Sequence, residues 1–343
     1  MSLPVIAQQA KLDYIFSTIY SVYTLMGALL NGFLLSLIIL HKQQDIQRYR
    51  ILLGNTTCTL LLLSILTFFL QPRLVMAADS MAYVSLGPAR FVKSPLLSLF
   101  ATAFMLVSDI YSFMTLAMCM VYKYITLART SPSVERIFSA IGLLFLLPLS
   151  SGAALIIYSP NFTELYATME AGHPEYNLSR YGKYCGLPDV KNYYVLYFFV
   201  VVCSIGVLSY VVMIITGLKI RRYVLSVHSN MSQKTSRTFN MMIKALVIQS
   251  CMPILFSFPT KALYFLMQFG SFESLTAEYL VFFVSPMIVV VDPCVTMYYV
   301  LPYRSYILKK LGLDKTRQFS QNIDIQPSVS SRTSKNVFSR IRA

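Results

Sequence analysis

Charge is what this sequence has least of. Asp, Glu, Lys and Arg make up 13% of its 343 residues, against about 25% in an ordinary soluble domain, while hydrophobic residues reach 56% and mean hydropathy is +0.60. So few charges cannot cover a water-facing surface, and most of the chain must face lipid. Gly (13), Pro (15) and Cys (6) are too few for a collagen-like repeat, a low-complexity coil or a disulfide-dense secreted fold. Histidine is scarcer still. His41, His173 and His228 all fall in polar connecting segments, which excludes a His-based metal or acid–base site at membrane depth. With no catalytic set, no metal cluster and no cofactor motif, the sequence reads as a non-enzyme.

The apolar residues that remain are grouped. A crossing helix needs roughly 20 mainly apolar residues, and seven such runs occur: 14–40, 51–70, 96–122, 137–158, 193–218, 241–269 and 279–300. The first has no charge in 27 residues and is too long for a signal-peptide core. The sixth is the hardest to bound, because Lys244 and Lys261 bracket only 16 uncharged residues, about 24 Å of helix. Both lysines are expected to snorkel to the interfaces. The fold class is thus an all-α, seven-helix membrane bundle (residues 14–311) with a short N-terminal tail (1–13) and a Ser-rich basic tail (312–343), expected to be disordered.

Net charge is +15. Sorted by side, 21 Lys and Arg fall with the C-terminus and 8 with the N-terminus, which by the positive-inside rule puts the N-terminus outside and the C-terminus in the cytoplasm. Positive-inside bias and attraction to the lipid bilayer account for the basicity without nucleic acid. The sequons at Asn161 and Asn177 both fall in the second outer loop, making them candidate glycosylation sites, whereas Asn55 and Asn230 fall where no modification can occur.

Ionisable groups at membrane depth are costly and are functional candidates by default. Asp109 lies midway along the third run, and helical spacing puts Ser98, Thr102, Asp109 and Ser112 on one face. Asp109, Thr102 and Ser112 are therefore candidate ligand contacts, with a helix-packing role as the alternative. Asp292-Pro293 in the seventh run and Gln249 with Pro253 in the sixth are candidate hinges, since proline frees a carbonyl in the preceding turn. An intramembrane aspartyl protease would need a Gly-x-Gly-Asp pattern, and a retinal pump a lysine in the last helix; both are lacking. Of six cysteines only Cys185 falls in an outer loop, so it is expected to be unpaired and open to an impermeant thiol reagent.

The Ser-x-Lys-Thr run at Ser232 to Thr235, Lys244-Ala-Leu-Val-Ile-Gln249 followed by Pro253, and Asp292-Pro293 with Leu301-Pro302-Tyr303-Arg304 resemble the nematode serpentine chemoreceptors, most closely class delta, within the G-protein-coupled receptors. The resemblance covers about Tyr14 to Leu311. It implies a multi-pass receptor at the plasma membrane of sensory neurons, with their cilia as one candidate place, that detects a small environmental chemical and signals through a heterotrimeric G protein. Lys123 and Lys244 would face that G protein. Two departures stand out. Tyr122-Lys123-Tyr124 replaces Tyr-Arg-Tyr, exchanging a planar fork for a point charge, and Gly87-Pro88-Ala89-Arg90 stands where a cysteine able to bridge to the second outer loop is expected. A seven-span channel or transporter would call for inverted repeats or more intramembrane charge, and neither is evident. A receptor-like chain that no longer signals stays open through Lys123.

Overall fold

The computed structural model describes residues 3–40, 47–77, 79–128, 132–158, 160–227, 244–245, 247–270 and 274–310. The Ser232–Thr235 run, Asn230, the start of the sixth run and the 312–343 tail lie outside the described residues. The chain divides into two units, 1–299 and 300–343.

Seven helices of the first unit are long and apolar enough to cross a membrane. They are α1 (Leu3–Leu40), α2 (Gln47–Leu70), α3 (Pro95–Ala128), α4 (Val134–Ile157), α6 (Tyr193–Val227), α7 (Val247–Phe269) and a final span built from α8 (Leu275–Phe283) and α9 (Ile288–Tyr299). Helix α5 (Phe162–Gly172) is a short insert between α4 and α6, capped by Asn161, whose Oδ1 accepts from the Thr163 amide at 3.2 Å. The second unit holds α10 (Leu301–Lys310), whose first turn closes through the Tyr303 and Arg304 amides onto the Val300 carbonyl.

Several helices run past the boundaries of the sequence reading, α3 to Ala128 among them, and two differ most. Helix α1 begins at Leu3, so residues 3–13 continue the helix and do not form a tail. Helix α6 runs to Val227, nine residues past Leu218, because Lys219, Arg221 and Arg222 are good helix formers that need no lipid cover.

Prolines shape the sixth and seventh spans. In α7 the stretch Pro253–Ser257 is π-helical, a geometry tied to local breaks in the i→i−4 ladder. In the last span Pro286 sits in a 3-10 turn (Ser285–Met287) between α8 and α9, and Pro293 lies inside α9. Pro293 has no amide hydrogen, so the Val289 carbonyl loses its helical donor. Asn31 of α1 donates Nδ2 to that carbonyl at 2.7 Å and to the Gly27 carbonyl at 2.8 Å. Gly27 permits the approach, since a Cβ there would lie 2.4 Å from Val289 Cγ2.

One end of the bundle carries a three-stranded antiparallel sheet absent from the sequence expectation: β1 (Pro72–Ala77), β2 (Ser80–Ser85) and β3 (Cys185–Leu187), in the order β1-β2-β3. Register pairs Arg73 with Val84 and Tyr83 with Cys185. Both faces of the hairpin are buried, which explains the near-continuous apolar run in place of alternation. Gln71 joins α2 to the hairpin in the left-handed region (φ 42°), where its amide bonds back to the Thr67 carbonyl. Its side chain accepts from Ser17 at 2.7 Å and donates to Ser21 at 2.9 Å, fastening the junction to α1.

Candidate functional site

The sheet roofs a cavity of about 100 Å³ between α2, α3, α6, α7 and the last span. Leu74, Met81 and Tyr83 close it from the hairpin, Phe198, Phe199 and Val202 from α6, Tyr264 and Phe265 from α7, and Val281 and Phe282 from α8. Against these apolar walls stand a few polar groups. Asp109 of α3 accepts from the Ser285 hydroxyl at 2.8 Å (Oδ1) and 3.0 Å (Oδ2). Lys261 of α7 donates to the Ser257 hydroxyl and lies 5.8 Å from the centre of the Phe113 ring. The arrangement suits a small molecule held mainly by aromatic and aliphatic contact and oriented by a few polar groups.

The structure separates the three candidate ligand contacts. Asp109 lines the cavity and faces the sixth and seventh spans; Thr102 and Ser112 are not among the lining residues. Ser112 is buried and bonds its own helix, at the Asp109 carbonyl (2.6 Å). Thr102 bonds the Ser98 carbonyl (2.8 Å) and lies 3.6 Å from Cys185 Sγ. Thr102 meets β3 through Cys185 while Ser112 bonds back to its own helix, so Asp109 alone of the three lines the cavity.

Cys185 is a free thiol. Its neighbour on the third span is Thr102, not the 87–90 segment, so a hydroxyl stands where a bridging sulfur is required. The expectation that Cys185 is open to reagent is overturned: it is buried in β3, and burial pushes its thiol up to about 12 against the lowering contact from Thr102.

Toward the opposite end, Lys123 of α3 donates to Gln249 Oε1 at 3.3 Å, and Gln249 Nε2 donates to Asp292 Oδ1 at 3.4 Å. These two long contacts link the third, sixth and seventh spans. Lys123 also lies 5.3 Å from the centre of the Tyr49 ring, which stacks on Tyr122. Lys123 therefore turns into the bundle in this arrangement, while Lys244 is exposed. Pro253 opens the π-helical stretch one turn after Gln249, and Pro293 follows Asp292 directly. Asn161 and Asn177 are both exposed at the hairpin end. Among the described residues no three His, Cys, Asp or Glu side chains cluster as metal ligands.

Two features escaped the sequence reading. Lys261 does not snorkel to an interface but lines the cavity with Asp109. The shortness of the uncharged run before it was the signal, because a full crossing had to include it. The second is Arg73, which is fully buried. Its guanidinium donates to Glu278 Oε2 from Nε (2.9 Å) and Nη2 (2.6 Å) and to the Tyr181 hydroxyl (3.0 Å). Tyr279, Tyr176 and Tyr181 surround it at 4.7, 5.2 and 5.9 Å from ring centre to Cζ. Tyr279 and Tyr181 in turn donate to Asp13 of α1 at 2.6 and 2.7 Å, and Arg180 pairs with Asp13. Burial alone would lower the Arg73 pKa, but Glu278, Tyr279 and Tyr181 outweigh it and raise it, so the guanidinium stays charged. Burial, then Asp13, pushes Tyr181 up to about 12, with Arg73 and Arg180 opposing.

A family described as the serpentine type 7TM GPCR chemoreceptor Srd matches residues 16–309. Similar relatives in Caenorhabditis elegans include serpentine receptor class delta-33, 28% identical over 315 residues and covering 91% of each chain. Another is serpentine receptor class delta-32, 26% identical over 306 residues, 87% of this chain and 88% of that one. Among solved structures the fold is similar to that of squid rhodopsin, with a TM-score of 0.62, 12% identity and 93% of both chains covered. The chain has the rhodopsin-like seven-helix fold and belongs to the Srd family of serpentine chemoreceptors.

Proposed function

We propose that this protein is a chemosensory G-protein-coupled receptor of the plasma membrane, with the hairpin end outside and the opposite end presented to a heterotrimeric G protein. The observation that carries the reading is the roofed cavity whose polar groups, Asp109, Lys261 and Ser285, sit on the third, sixth and seventh spans. Those same spans are linked again by Lys123, Gln249 and Asp292. A ligand that contacts one arrangement of the three spans better than another shifts the population between them. The π-helical stretch of α7 and the Pro293 turn are the hinges on which their far ends move. Rearrangement there breaks the long Lys123–Gln249 contact and frees Lys123, together with the exposed Lys244, for the G protein. The excess of Lys and Arg away from the hairpin end and the two exposed sequons at it support the orientation.

Calcium imaging in heterologous cells, with a panel of small chemicals, tests the coupling. Lys123→Ala is expected to reach the surface normally and to lose its response, and a normal response at matched surface level overturns the role of Lys123. Orientation is checked separately. Glycosidase treatment should shift the wild-type band but not that of the Asn161→Gln, Asn177→Gln double variant, and an N-terminal tag reachable only after permeabilisation would contradict the topology.

A further inference from the structure

Asp109 and Lys261 put one acidic and one basic side chain on the wall of the same small cavity. They attract each other electrostatically, yet no ion pair within 4.0 Å joins them among the described residues. Each is held by a single hydroxyl instead. Among the described residues, the Asp109 carboxylate accepts only from Ser285, and Lys261 donates only to Ser257. A carboxylate has about four acceptor sites and an ammonium three donors, so both keep free valence toward the cavity. The rest of the wall is largely aromatic and aliphatic, so uncompensated charge there meets low polarisability.

Resting on the reading of this cavity as the ligand site, we infer that it selects a small ligand of no net charge that carries both an acceptor and a donor, such as a short hydroxy ketone. The acceptor takes the free hydrogens of Lys261 and the donor reaches the free oxygen sites of Asp109, completing the ion pair through the ligand. A simple amine would satisfy Asp109 but bring a second positive charge beside Lys261. A simple carboxylate would satisfy Lys261 but repel Asp109. Like charges brought together in a site that excludes water are strongly disfavoured. The volume of about 100 Å³ suits a small ligand.

The test measures thermal stabilisation of the purified full chain in detergent by 4-hydroxy-2-butanone, pentylamine and butyrate. The wild type is expected to prefer the hydroxy ketone over either ion by roughly tenfold in half-maximal concentration. Asp109→Asn leaves the site positive and should move the preference to butyrate, while Lys261→Met leaves it negative and should move it to pentylamine. The double variant Asp109→Asn, Lys261→Met covers the case in which a single variant fails to fold, and should discriminate among the probes no longer. A wild type that prefers pentylamine or butyrate, or a double variant that keeps the wild-type preference, overturns the inference while leaving the cavity as a ligand site. Stabilisation by no probe in any variant overturns the cavity reading itself.

Discussion

Two cations tie helices together at opposite ends of this bundle, and they do so differently. At the hairpin end Arg73 is clasped by Glu278 and Tyr181 at 2.6–3.0 Å under three aromatic rings, and Asp13 extends the cluster to α1. At the other end Lys123 reaches Asp292 only through Gln249, by contacts of 3.3 and 3.4 Å. Hydrogen bonds to charged groups run shorter than this when well made. The first cluster fixes a roof on its walls; the second is a joint that little energy opens. On the proposed receptor reading, the cavity stays closed at one end while the other rearranges, which calls for both.

The sharpest way to break the comparison is at Arg73. Arg73→Leu strands Glu278 as a buried charge, and breaking such a pair costs about 3–5 kcal/mol, so the expected result is a large fall in thermal stability and poor surface expression. Unchanged melting would show that the roof does not depend on the cluster. Asn31→Leu should come next, at about 1–3 kcal/mol, because it orphans the Val289 carbonyl freed by Pro293; thermal unfolding in detergent measures it. Gln249→Ala should cost only about 1 kcal/mol, because its contacts to Lys123 and Asp292 are long, yet change signalling at matched surface level. Melting depressed as far as in Arg73→Leu would mean that the far end is no looser than the roof.

The smallest effect expected is on Cys185 chemistry. Its thiol, pushed up to about 12, stays protonated from pH 7 to 9, and buried in β3 it should resist an impermeant maleimide across that range until the protein is denatured. Labelling of the folded protein that rises through pH 8–9 would show an ordinary, accessible thiol.

The seven spans were legible because a bilayer demands long apolar runs, and Asp109 because charge inside such a run is conspicuous; Lys123, just past the third run, stood out only through the family resemblance. What stayed hidden was whatever depends on partners distant in sequence. Arg73 reads as a loop charge closing the second span, and nothing near it announces Glu278, 205 residues away. The hairpin 72–85 reads as a connector because both its faces are buried, so the period of two that marks a half-exposed strand is missing. Lys261 was legible in principle, since the crossing before it was too short. Thr102 and Ser112 show the limit of helical spacing, which gives a face but not which element covers each turn of it.

The most direct test of the central claim is to fill the cavity. Val202→Phe and Val281→Phe put a ring into it from α6 and from α8, leaving Asp109, Lys261 and the Lys123 joint untouched. At matched surface level, the account predicts that either variant loses the calcium response to a chemical that activates the wild type, or needs at least roughly tenfold more of it. Responses with unchanged half-maximal concentration in both variants would place the ligand elsewhere and contradict the account.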